Sequence, residues 1–176
     1  GERTPQRTAS EPEPDAGDPV VRVTLGSLPR TPDVALERDA IMGFLQFGHR
    51  IDPEIRARAI ALPLRNPALE AVRAAIAASP DLDRVGWAAD AGTAIREPYR
   101  SLGAELLTSD FPARDAEHAA GSAMALARRL LMRSIDADKN ELLGAIQRVL
   151  PDSEQGRGIR VRLRELDLER QRLSGE

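Results

Sequence analysis

An acidic run in the second half of the chain has the residue types and spacing of a calcium ligand set. Asp136, Asp138 and Asn140 match the opening of an EF-hand loop, in which side-chain oxygens at alternate positions bind calcium. The match then fails, because the loop requires glycine and glutamate at two later positions where this chain has Glu141 and Gln147. The hydrophobic periodicity also places the run in the middle of a helix, so a solvated helical face is the favoured interpretation.

Two histidines, His49 and His118, are the next candidates for catalysis or metal binding. Neither has a partner at metal-ligand spacing on its helix face except Asp115, three residues before His118. Asp115 fits better as the acidic residue at a helix start, where the helix dipole favours negative charge. The sequence has no cysteine, which excludes disulfides, thiolate chemistry and Cys-ligated zinc. It also has no glycine-rich phosphate loop. We therefore expect no catalytic residue, metal or cofactor in this chain.

Arginines concentrate near the end of the chain, where they alternate with carboxylates. The simplest interpretation is a charged helix face with pairing between neighbouring turns. The functional interpretation is a protein-contact surface, in which arginine is a favoured anchor. Nucleic-acid binding is the weakest interpretation, because residues 151–176 carry six arginines against six carboxylates. The arginines are Arg157, Arg160, Arg162, Arg164, Arg170 and Arg172, and the carboxylates among them include Glu165, Asp167 and Glu169.

The composition fits a helical domain without a membrane segment. The 176 residues suit one mid-sized domain or two small ones, and 41% of them are hydrophobic. Aromatic residues make up 3%, so leucine, isoleucine, valine, methionine and alanine must build the core. Of these, leucine and alanine above all favour helix. No apolar run approaches the ~20 residues of a membrane span. The first residue is Gly1, which predicts a piece of a longer protein, and we expect a cytoplasmic location without a signal peptide.

The first 32 residues differ in composition from the rest and predict a flexible tether. They contain six of the 13 prolines, with acidic and small polar residues between them. Such a segment buries too little apolar surface to offset the entropy lost on ordering. Residues 20–25 are an exception, because their β-branched content favours a short strand or a clip onto the domain. A lone strand is marginal, so a weakly held extended segment is the preferred prediction.

Helical spacing of apolar residues dominates from residue 33 onward, and no stretch shows sustained strand alternation. Three helices are predicted to begin at a capping residue followed by proline: Thr31–Pro32, Asp52–Pro53 and Asn66–Pro67. A fourth helix is predicted to be capped by residues 81–83, and a fifth to carry residues 99–107. These helices form a predicted bundle.

The stretch from Asp115 to about Leu150 lacks proline and predicts one long helix. Such a helix outruns a bundle of this size, and a last helix from about 159 onward is predicted to cover its apolar stripe. The fold prediction is therefore all-α: a small helical bundle, then a long helix and a C-terminal antiparallel helical hairpin. The predicted divisions are a tether over 1–32, a bundle over 33–130 and a hairpin over 131–176. The hairpin buries little surface and is predicted to be the least stable part.

As a set, several stretches resemble the C-terminal helicase-binding domain of bacterial DnaG-type DNA primases. Residues 36–41 followed by 44–47 resemble the "REAL…LQYP" first helix of that family, with Gly48 in place of the usual proline. Residues 66–76 resemble its "HPAYAAVRAAI" stretch, with Leu69 in place of an aromatic residue. Residues 126–172 resemble its long helix and terminal hairpin. The resemblance covers roughly residues 33–176.

This resemblance implies a non-catalytic docking domain of a primase. In that family the hairpin binds the N-terminal region of the replicative DnaB-type helicase, which couples primer synthesis to unwinding of the fork. Some members also contact the acidic tail of the single-stranded DNA-binding protein, which adds a second expected partner. Little direct nucleic-acid binding and no membrane contact are expected. The partner-binding residues predicted in the hairpin are Leu166 and Leu173, provided that they face outward, with Arg160, Arg164, Glu169 and Arg170 around them.

Two other functions remain open at the level of sequence. The arginines permit a helical domain that binds single-stranded nucleic acid, whose affinity would fall steeply with added salt. An exposed hairpin also permits a homodimeric scaffold in which two copies pair through their hairpins. Solution mass and binding of single-stranded DNA distinguish these alternatives from helicase docking.

Overall fold

The computed structural model describes residues 21–175, and within that range it consists of helices and turns without a strand. The predicted all-α class, with a bundle, a long helix and a terminal hairpin, is confirmed. The helices are α1 (Pro32–Phe47), α2 (Pro53–Ala61), α3 (Pro67–Ala77), α4 (Trp87–Ala94), α5 (Arg100–Thr108), α6 (Ala116–Ile146) and α7 (Glu154–Ser174).

The first three helices begin where their capping residues predicted. The side chains of Thr31, Asp52 and Asn66 each accept hydrogen bonds from backbone N–H groups in the first turn of the following helix. In each case the next residue is proline, whose missing N–H would have no partner at that position. Asp115 caps α6 in the same way by accepting from the backbone N–H of His118, which confirms its assignment as a helix-start residue.

The predicted cap of the fourth helix at residues 81–83 is wrong. α4 begins at Trp87, after Gly86 with a φ of 84°, a conformation that favours glycine. The Asp81 carboxylate instead accepts from the backbone N–H of Asp83, which closes a turn. The Asp83 carboxylate accepts two hydrogen bonds from the buried Arg56 guanidinium, at 2.8 and 3.1 Å. This long-range ion pair holds the segment as a loop, and it lowers the pKa of Asp83.

The core forms around the crossing of α1 and α6, which small residues allow to approach closely. A Cβ added to Gly43 of α1 would lie 3.2 Å from the Cβ of Ala123 in α6. Ala119, Ala123 and Ala127 are all buried on that face of α6. Larger side chains pack on either side of the crossing, including Ile41, Phe44, Leu69, Leu102, Leu106 and Leu130, all of them nearly inaccessible to solvent.

Glu37 is a fully buried carboxylate that joins three parts of the bundle. It accepts hydrogen bonds from the backbone N–H groups of Arg65 and Asn66, at 2.8 and 3.0 Å, in the turn before α3. It also accepts one from the Arg133 guanidinium of α6 at 2.7 Å. Because burial of a charge is costly unless it is paired and hydrogen-bonded, these contacts make Glu37 a structural tie between α1, α3 and α6.

Glu70 joins α3 to the turn before it, and its contribution to stability depends on pH. Its carboxylate accepts two hydrogen bonds from Arg73, at 2.6 and 2.7 Å, and one from the backbone N–H of Leu64 at 2.7 Å. The Arg73 guanidinium is the main cause of a lowered Glu70 pKa, and the Leu64 bond adds to the effect, although burial opposes it.

A lowered pKa in the folded state means that ionised Glu70 stabilises the fold above its ordinary pKa. That contribution is lost as the pH falls through the folded-state value. We therefore expect Glu70→Gln to lower the melting temperature at neutral pH, and the difference from the wild type to shrink steadily on acidification. Thermal unfolding followed by circular dichroism between neutral and acidic pH measures this. A difference that stays constant with pH would contradict the assignment.

The segment before α1 lies against the bundle where it is described. The backbone N–H of Val23 donates to the carbonyl of Pro98 at 3.1 Å, and that of Leu25 donates to the Glu105 carboxylate at 2.8 Å. The side chain of Leu28 is buried in the core. Residues 21–24 form an extended clip without a strand. The rest of the predicted tether, residues 1–20, lies outside the described residues.

The long helix ends earlier than predicted, at Ile146 rather than about Leu150. Pro151 disfavours a helical conformation at Leu150, and the chain must reverse direction before α7. Gly156 in the first turn of α7 makes the reversal tight, since a Cβ there would lie 2.9 Å from the Leu150 carbonyl oxygen. None of the helices between residues 21 and 175 combines the length and apolar character required to cross a membrane.

Candidate docking surface

The hairpin of α6 and α7 has a buried seam between its two helices. Ile159 and Leu166 of α7 are buried, and Leu163 is half-buried between them along the same face. Two ion pairs fix the register from the side: Lys139 with Asp167, and Arg170 with Asp136 at 3.0 Å. The two helices therefore pair through the apolar stripe that the sequence predicted. Asp136, the first residue of the EF-hand-like run, forms an ion pair on the surface of α6.

The C-terminal half of α7 also rests on the bundle. Leu166 and Leu173 belong to the same apolar cluster as the bundle core. Leu173 and Ile55 of α2 line one groove, and Arg58 of α2 forms an ion pair with Glu169 of α7. Ile159, nearer the turn, is buried but lies outside that cluster. The hairpin is thus anchored at its base. None of residues 143–163 belongs to the bundle's apolar cluster, so this distal part extends beyond the bundle. We call this distal part the arm.

Leu166 and Leu173 do not meet the condition on which they were predicted to bind a partner, that they face outward. Their exposed fractions are 1% and 4%, because Leu166 faces α6 and Leu173 faces the groove beside α2. A residue covered on both sides cannot contact a partner without unfolding the hairpin base. These two leucines therefore stabilise the fold and belong to its core.

The four charged residues predicted to bind a partner have different environments. Glu169 pairs with Arg58 and Arg170 with Asp136, so both are engaged within the chain. Arg160 is half-buried and donates to the carbonyl of Pro151 in the turn. Arg164 is exposed, and among the described residues it has no carboxylate within ion-pair distance. Of the predicted set, Arg164 is the residue whose charge faces solvent unpaired by the described chain.

The structure adds apolar surface residues that the sequence reasoning left aside. Val161 and Leu168 of α7 are 46% and 54% exposed, and Leu143 and Leu150 of the arm are 47% and 77% exposed. The helical period could have predicted their position, because Val161 and Leu168 lie seven residues apart and on the side of α7 opposite to Leu166. Val161 and Leu168 therefore share one face of α7, and exposed apolar side chains on a shared face are typical of a protein-contact surface.

Within the described part of the chain, no group of histidine, aspartate or glutamate side chains is arranged to hold a metal ion. His118 lies beside its own helix cap, with its ring Nδ1 2.7 Å from the Asp115 carboxylate. The hydrogen bonds from His118 lower the pKa of Asp115. This pair is therefore explained by the start of α6.

The fold is a helical bundle extended by a helical hairpin, with leucine side chains exposed on its surface. Comparison with solved structures identifies the fold more closely. The chain is similar to the structure described as "Helicase binding domain of primase from Mycobacterium tuberculosis", with a TM-score of 0.65 and 19% sequence identity over 80% of this chain and 91% of that one. The chain therefore has the fold of a primase helicase-binding domain, as the sequence resemblance implied. No family model and no curated protein sequence matches the chain.

Leu166 and Leu168 are close in sequence, but the first is buried and the second is exposed. This contrast tests which face of α7 packs on α6. Leu166→Ala should lower the free energy of unfolding by about 2–5 kcal/mol, because it leaves a cavity between α6, α7 and the bundle. Leu168→Ala, at a half-exposed position, should change it by less than about 0.5 kcal/mol. Urea denaturation of the two variants measures the difference. Equal losses would show that α7 turns a different face toward α6.

Proposed function

We propose that this chain is the docking domain through which a bacterial primase binds the N-terminal region of its replicative, DnaB-type helicase. The observation that carries the proposal is the arm: it projects from the bundle, presents exposed apolar and arginine side chains, and occurs on the fold of a primase helicase-binding domain. In this proposal the chain is non-catalytic, and primer synthesis belongs to another part of the parent protein.

The size and chemistry of the arm support a reversible contact. The arm contains only the end of α6 and the first half of α7, and small interfaces suit weak or transient complexes. The tether predicted over residues 1–32 would keep the rest of a primase near the helicase by raising its local concentration. Binding to the single-stranded DNA-binding protein and a cytoplasmic location remain proposals that follow from the same resemblance.

Isothermal titration of this chain into the replicative helicase hexamer tests the proposal. We expect saturable binding with a Kd on the order of 1 µM. Fluorescence anisotropy with labelled single-stranded DNA at about 50 mM salt tests the nucleic-acid alternative, because phosphate contacts are strongest at low salt. Failure to bind the helicase would contradict the proposal, and tight salt-sensitive DNA binding would favour the alternative.

A further inference from the structure

The outward face of α7 carries a regular stripe of alternating charge and apolar character. Arg157, Val161, Arg164 and Leu168 follow one another at intervals of four, three and four residues. This is the heptad spacing by which one helix packs along another. All four side chains are exposed, and they lie on the side of α7 opposite to the buried Leu166. We call these four residues the outer seam.

The electrostatics of α7 leave the outer seam positive. The three carboxylates on the flanks of its C-terminal half are engaged within the chain: Glu165 with Arg162 at 3.3 Å, Asp167 with Lys139, and Glu169 with Arg58. Arg157 and Arg164 have no such partner between residues 21 and 175, where Arg157 donates only to the carbonyl of Asp152 at 2.8 Å. The intramolecular pairing therefore uses the acidic side chains of α7 and leaves the seam arginines available.

We infer that the outer seam binds an amphipathic helix of a partner protein that places apolar residues against Val161 and Leu168 and carboxylates opposite Arg157 and Arg164. The inference rests on the proposed function, which makes that helix part of the replicative helicase. Helix-to-helix docking is favoured because exposed anchors at these intervals match the period of a packed helix. Each seam arginine can donate two parallel hydrogen bonds to a partner carboxylate, next to the apolar contacts of Val161 and Leu168.

Two other occupants fit the outer seam less well. A second copy of this chain would add its own arginines to the contact, and the outer seam has no carboxylate to pair with them. A nucleic-acid backbone would use the arginines but leave Val161 and Leu168 against phosphate and water. An acidic amphipathic helix uses both kinds of side chain in the stripe.

The test compares three variants of the full chain. The first combines Arg157→Glu with Arg164→Glu, and the second combines Val161→Ser with Leu168→Ser. The matched control is Arg114→Glu, an exposed arginine in the loop before α6 that lies outside both the arm and the outer seam. Thermal unfolding by circular dichroism checks that all three remain folded, as expected for exposed positions.

Each variant is titrated with two ligands. One is the purified helicase hexamer, and the other is a synthetic helical peptide in which leucine and glutamate alternate along one face at intervals of three and four residues. We expect both seam variants to weaken binding to each ligand by about ten-fold or more, and the control to stay within about two-fold of the wild type. The same peptide with lysine in place of glutamate should not bind, because its charge opposes the seam arginines.

The outcomes separate the inference from the proposed function. If the wild type and the seam variants bind the helicase equally, the outer seam is overturned while helicase docking stands. If the helicase does not bind but the acidic peptide binds in a seam-dependent way, the outer seam stands and the proposed helicase partner is wrong. If neither ligand distinguishes the seam variants from Arg114→Glu, the inference is overturned. Seam-dependent dimerisation, or seam-dependent binding of single-stranded DNA, would also overturn it by assigning another occupant.

Discussion

Replacing Glu37 by alanine should lower the free energy of unfolding by about 3–5 kcal/mol, the range measured when one partner of a buried ion pair is removed. The loss is expected to be large because Glu37 is fully buried and accepts three hydrogen bonds. Without it, the backbone N–H groups of Arg65 and Asn66 lose their acceptor, and the Arg133 guanidinium keeps a largely buried charge. Single domains are stable by only about 5–15 kcal/mol, so this variant should unfold at much lower denaturant concentration.

Asp33 offers a matched control for this experiment. It lies on the same helix and contacts the same two arginines, Arg65 at 2.8 Å and Arg133 at 3.7 Å. Its side chain is 56% exposed, so Asp33→Ala should cost less than about 1 kcal/mol. Urea denaturation of both variants measures the contrast. Similar losses for the two substitutions would contradict the view that burial gives Glu37 its structural role.

The second large effect is expected from shortening the arm. In this variant, residues 143–163 are replaced by a flexible linker of about four residues, which spans the ~10 Å between packed helix axes. The ion pairs at the hairpin base, Arg58 with Glu169 and Arg170 with Asp136, remain. Under the proposed function, affinity for the helicase should fall by about 100-fold or more, while the bundle keeps its cooperative unfolding. Titration calorimetry and circular dichroism measure the two properties.

Removing all residues from 151 onward would be a less informative deletion. It would take away Leu166 and Leu173, which belong to the bundle's apolar cluster, and would therefore confuse loss of binding with loss of folding. A control for the shortened arm inserts the same linker beside Val85, which is 95% exposed in the loop before α4. Retention of full helicase affinity by the shortened arm would show that docking uses another surface.

Much of the fold followed from local sequence rules. Thr31, Asp52 and Asn66 combine a capping side chain with a following proline, and both signals act within one turn of chain. The start of α4 did not follow from the sequence. Asp83 does not cap a helix, because its carboxylate forms an ion pair with Arg56, 27 residues earlier in the chain. An ion pair between distant residues leaves no trace in local periodicity.

The sequence predicted which helix carries the candidate site, but it did not predict which residues of that helix are exposed. The apolar stripe of the last helix indicated that it packs on another helix, and the clustering of arginines indicated a contact surface. The sequence did not show that the end of α7 returns to α2, which covers Leu173 and engages Glu169. Once that contact is known, the helical period alone places Val161, Arg164 and Leu168 on the outer side.

The most direct test of helicase docking by the projecting arm is hydrogen–deuterium exchange of this chain alone and in complex with the replicative helicase. Slower exchange on binding should map to residues 143–168, while α3 and α4 on the bundle exchange as in the free chain. Protection confined to the bundle, with the arm unchanged in a saturated complex, would contradict docking by the arm.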